Sequence, residues 1–126
     1  MADSVPGGRI KLMFGGNGHS RGARIDGSGD PGSVAVYWKG GREREIVDIG
    51  ELTADNRLQQ IGFAEEAFIW PEDPEVRDPD HGMLDKGNWM TVHMPHDMEK
   101  GRHMFVWVWE YGEGPKWSTC FDVMIR

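Results

Sequence analysis

Three histidines, His93, His96 and His103, crowd the stretch TVHMPHDMEKGRHMFV. If that stretch is a hairpin turning near Met98, His93 and His103 face each other across two strands, close enough to share a ligand. His96 then sits in the connecting turn. His19, in a glycine-rich loop after the first strand, emerges at the same end and would join them. Imidazole nitrogens suit copper, zinc and nickel, so copper or zinc is the cofactor such a set implies, and a metal-binding protein or metalloenzyme the function. The spacing matches no tight ligand motif, however. The plainer account, favoured by that looseness, is that these are ordinary exposed or half-buried histidines.

The other reactive groups are sparse. Cys120 is the one cysteine, so an internal disulfide is excluded. It lies in the alternating run WSTCFDVMI, where a small buried thiol is expected. No Ser-His-Asp or Cys-His set is legible, and the carboxylates are scattered. GGNGHSRG lacks the Lys-Ser/Thr of a phosphate loop. No catalytic residue is therefore assigned. The aromatic residues remain. Trp107 and Trp109 share one face of an apolar run and read as core. Trp38, Trp70 and Trp117 fall near strand ends, where an indole either stacks on a sugar ring or caps the core; capping is the commoner role.

The elements that must position these residues read as strands. RIKLMF (Arg9 to Phe14) alternates, SVAVYW (Ser33 to Trp38) is apolar and β-branched, and REREIVDI (Arg42 to Ile49) reads as its hairpin partner after the turn KGG. TADNRLQQI suggests a helical turn capped by Thr53. EAFIW, NWMTVHM, RHMFVWVWEY and KWSTCFDVMI complete the set, the third apolar enough to be a central strand buried on both faces. Long polar stretches, 15–32 and 71–87, connect them. About seven short strands without a long helix predict an all-β, immunoglobulin- or fibronectin III-like antiparallel sandwich, one domain over 1–126.

The C-terminal third carries a family resemblance. Trp89, Pro95, the pair Gly101-Arg102, FVWVWEY and WSTCFDV follow one another as in the closing strands of the lytic polysaccharide monooxygenases, and DHGMLDKGNW is similar to the segment before them. The resemblance covers Asp80 to Ile125. It implies an immunoglobulin-like sandwich, with Trp117 at the position where that family places an axial aromatic beside its copper. The family's histidine brace has no counterpart here. Residue 1 is Met, and no His lies between His19 and His81. Pro115 replaces the Gln or Glu common beside that family's site, and Cys120 lacks the usual partner cysteine. The resemblance thus implies the fold without the copper chemistry.

Composition limits the partners. The 126 residues carry a net charge of -7 and a mean hydropathy of -0.58. An acidic surface repels phosphate backbones and anionic lipid, which argues against nucleic acid and membrane partners. Without disulfides or an apolar leader the expected compartment is the cytoplasm; a secreted chain whose signal peptide has been removed would read the same. The sequence-based expectation is a non-catalytic module binding a polysaccharide through Trp117, Trp38 and Trp70, or binding a protein. A metal protein built on His93, His96, His103 and His19 is one alternative, and a structural or stress-related soluble domain is the other.

Overall fold

A computed structural model describes residues 1–15, 32–63, 66–69, 86–110 and 115–126. These form eight strands: β1 (Ala2–Ser4), β2 (Arg9–Gly15), β3 (Ser33–Trp38), β4 (Arg57–Gly62), β5 (Glu66–Ile69), β6 (Lys86–His93), β7 (Gly101–Glu110) and β8 (Pro115–Ile125). One sheet has the order β1-β8-β7-β3-β4 and the other β2-β6-β5. Every pairing is antiparallel except β1 with β8, where Ala2 lies opposite Val123 and Ser4 opposite Ile125. This is the all-β, two-sheet sandwich that the strand pattern predicts, with a short parallel edge strand added.

Two apolar layers follow from strand alternation. Val34, Val36, Met90, Val92, Phe105, Trp109, Val123 and Ile125 fill the space between the sheets. The opposite faces of β3 and β7 present Ala35, Tyr37, Met104, Val106 and Val108, which are buried as well. β7 is thus covered on both sides, which explains its unbroken apolar run.

Two expectations about the region after β3 need correction. Arg42 to Ile49 is not a strand, and β4 takes the place beside β3. The chain turns at Gly40, where φ is +78°, and Glu43 also adopts a left-handed φ of +55°. Residues 42–52 then cross the outer face of the larger sheet as a strap. Ile46 and Leu52 pack on the second apolar layer, and the Ile46 amide donates to Met104 Sδ at 3.4 Å. The charges flanking Ile46 stay in solvent. The short helical turn forms at Ile49–Glu51, earlier than Thr53 would start it. Asp48 caps it: its carboxylate accepts from the Gly50 amide at 2.7 Å, and Glu51 Oε2 accepts from the Asp48 amide at 3.2 Å.

Arg102 clamps the strap to the sheet. Its guanidinium reaches Glu43 at 3.2 Å, Glu45 at 3.0 Å and Asp122 at 3.0 Å. The Glu43 amide donates to the Arg102 carbonyl at 3.1 Å. These three carboxylates, Asp122 first, hold the guanidinium charged well beyond its ordinary range.

Candidate functional site

Between the strap and β8 lies an open cleft of about 250 Å³. Ile46, Val47, Asp48, Ile49 and Leu52 line it from the strap, and Val106, Trp117, Ser118 and Cys120 from the sheet. Exposed apolar residues gather at this spot. Val47 is 81 % exposed, Ile49 70 % and Trp117 41 %, three of the six large hydrophobic side chains left exposed among the described residues. The Trp117 ring rests against Trp109 with centroids 4.8 Å apart, and Trp109 in turn meets Phe63 at 4.4 Å. A rigid aromatic stack therefore holds one wall.

The opposite wall is held by charge. Lys39 is paired with Glu51. Glu51 Oε2 also accepts from the Val47 amide at 2.9 Å. The Lys39 ammonium, followed by the Val47 amide, lowers the Glu51 carboxyl to about 2. Asn56 Nδ2 donates to the Glu51 carbonyl at 2.8 Å. Val47 and Ile49 are thus presented from a backbone that is fixed on both sides, with their side chains in solvent.

Cys120 is exposed, not buried as its place in an alternating strand suggests. It shares the outer face of β8 with Ser118 and Asp122. The strap covers Met104 and Val106 on β7 but leaves the neighbouring β8 face open as the cleft floor.

The histidines are not gathered as the hairpin reading requires. β6 and β7 belong to different sheets, so residues 94–100 are a crossover and not a hairpin turn. His93 lies opposite Arg9 and is exposed, whereas His103 lies opposite Val123 and has no exposed surface. Both ring nitrogens of His103 are engaged: Nδ1 accepts from Trp38 Nε1 at 3.2 Å, and Nε2 lies 2.8 Å from the Glu99 carbonyl. Those partners assign the proton to Nε2, leaving no lone pair for a metal. His96 packs over Gly7, where φ is +71°; a Cβ there would lie 2.3 Å from His96 Nδ1. Among the described residues no three His, Cys, Asp or Glu side chains form a metal-binding group. His19 and Trp70 lie outside the described residues.

Trp38 is largely committed to the core. Besides its bond to His103, its ring stacks on Phe105 at 6.1 Å. One edge borders a shallow polar pocket with Lys39, Asp55, Asn56 and Arg57, of which Lys39 and Asn56 already bind Glu51. Of the two described tryptophans expected to bind ligand, Trp38 and Trp117, it is Trp117 that has the clearly exposed ring at a cleft. The strap residues opposite it were not recognised from sequence, because IVDI reads there as part of an alternating strand.

No protein-family model, curated protein or solved structure matches this chain. Among the described residues, no helix is long and apolar enough to cross a membrane.

Proposed function

We propose that this protein is a non-catalytic protein-binding module whose contact surface is the cleft between the strap and β8. The observation that carries this reading is the clustering of Val47, Ile49 and Trp117 around a cleft that Ile46, Leu52 and Val106 also line. Exposed branched aliphatic side chains beside an anchored indole suit the apolar side chains of another polypeptide. A sugar-binding face instead needs an aromatic platform ringed by hydrogen-bonding groups. Here the polar groups on the lining are Asp48 and Ser118, and the Asp48 carboxylate is already used as a helix cap. The resemblance to the polysaccharide monooxygenases is retained as a proposal about ancestry of the sandwich, with Trp117 turned from an axial aromatic into part of a docking surface.

A photo-crosslinking side chain placed at Val47 tests this. A discrete covalent adduct with a polypeptide, lost in Ile49→Glu, is expected. Retention on insoluble polysaccharide that disappears in Trp117→Ala, without any polypeptide adduct, overturns it.

A further inference from the structure

A second cleft opens between the two sheets, on the side where β2 faces β7 and β8. Its volume is about 280 Å³. Leu12 and Phe14 line it from β2, Trp107 from β7 and Phe121 from β8. All four are partly buried side chains packed against the inter-sheet core. Phe14 and Trp107 meet with ring centroids 5.1 Å apart, and Phe121 stacks on Phe105 at 5.4 Å. The aromatic walls are thus held by their neighbours. An apolar cavity of about 150 Å³ holds benzene, so this cleft has room for a ring with a short side chain.

Trp107 brings a second feature to the wall. Its Nε1 is buried and has no hydrogen-bond partner, the one side-chain donor in that condition among the described residues. A buried N–H without an acceptor bears its full desolvation cost, so native proteins keep few of them. Trp38 shows the contrast, since its Nε1 donates to His103 at 3.2 Å. The other polar groups on the described lining can donate too. Lys11, whose ammonium lies 4.2 Å from the Trp89 ring centroid, has no acceptor atom, and the Thr119 hydroxyl has a proton to give. No carboxylate borders the cleft among the described residues, in a chain of net charge -7. The lining therefore offers apolar surface and donors.

We infer that this cleft binds a small aromatic carbonyl compound, its ring seated among Leu12, Phe14, Trp107 and Phe121 and its carbonyl oxygen accepting from Trp107 Nε1. The site lies on the inner face of the larger sheet, whereas the strap cleft lies on the outer face, and it does not rest on the protein-binding reading. A carbonyl fits because it accepts without donating, so it brings no N–H or O–H that needs a partner of its own. An aromatic body fits because offset and edge-on contacts with the ring walls stabilise beyond the area they bury.

The test uses the full chain, isotope-labelled for NMR, and acetophenone. Through-bond assignment identifies the indole N–H signals of Trp107 and Trp117. Acetophenone should move the Trp107 signal downfield and saturably, as a new hydrogen bond does. Ethylbenzene, of similar shape without the oxygen, should bind without that downfield shift. The pair also gives an energetic readout. Trp107→Phe keeps a ring in the wall and removes the N–H. It should weaken acetophenone about fivefold relative to ethylbenzene, with Kd values taken from the Leu12 and Phe14 amides. The ratio cancels the apolar area lost from the ring. Should the variant fail to fold, the downfield shift in the wild-type chain decides alone. No saturable movement of the Trp107 signal, or the same movement with ethylbenzene, overturns the inference. So does equal weakening of both compounds in Trp107→Phe. A shift at Trp117 with none at Trp107 puts the ligand in the strap cleft and also overturns it.

Discussion

At the scale of single residues, His103 shows how far a side chain's chemistry is set by its partners. It alternates with Phe105, Trp107 and Trp109, so its inward direction was readable from strand parity. Its role was not, because the group that engages Nδ1 is Trp38, 65 positions away in sequence. Replacing it with leucine removes the partner of both the Trp38 N–H and the Glu99 carbonyl at a part-buried site. That should lower stability by about 2 kcal/mol, read from the urea midpoint. His93→Ala, at an exposed strand end, should change it by less than about 0.5 kcal/mol. A metal site shared by the two would make both substitutions costly and would alter bound metal equally. Cys120 is the reverse case. Alternation correctly put it across from Phe121, but which face of an edge strand is covered depends on a segment elsewhere in the chain.

At the scale of elements, the strap was the least legible part and matters most for the cleft. RERE followed by IVDI imitates an alternating strand, yet Ile46 is its one buried residue, and a lone anchor suits a crossing segment better than a paired strand. The capping pattern Asp48-x-x-Glu51 was present in the sequence; its significance depended on seeing that no strand ran through it. Ile46→Ala should cost about 3 kcal/mol, through lost burial and the hole left over Met104 and Val106. The same variant should loosen the cleft wall and weaken partner binding, which a Val47 crosslinking yield would report. Acid acts on the strap in a definite direction. Glu51 has its carboxyl lowered from 4.5 to about 2, chiefly by Lys39, so its ionised form favours the folded strap. A lowered carboxylate contributes stability that is fully present above its unfolded value and is lost as pH falls through its folded one. The contribution should therefore hold above pH 4.5 and vanish towards pH 2. Hydrogen exchange at the Val47 and Asp48 amides, both donating to Glu51, should accelerate over that range beyond the intrinsic pH trend. In Glu51→Gln the additional acceleration should be absent.

At the scale of the whole molecule, fold class was legible because strand periodicity is a local property; the cleft proposed to bind a partner was not, because it joins 46–52 to Val106 and to 117–120. The net charge acts at this scale too. At -7 the surface repels an acidic partner at long range. Salt screens that repulsion: the Debye length is about 30 Å at 0.01 M and about 8 Å at 0.15 M. The contacts proposed at the cleft, through Val47, Ile49 and Trp117, are uncharged. Raising sodium chloride should therefore leave the Val47 crosslinking yield intact, whereas a partner held by surface charge would be lost across the same series.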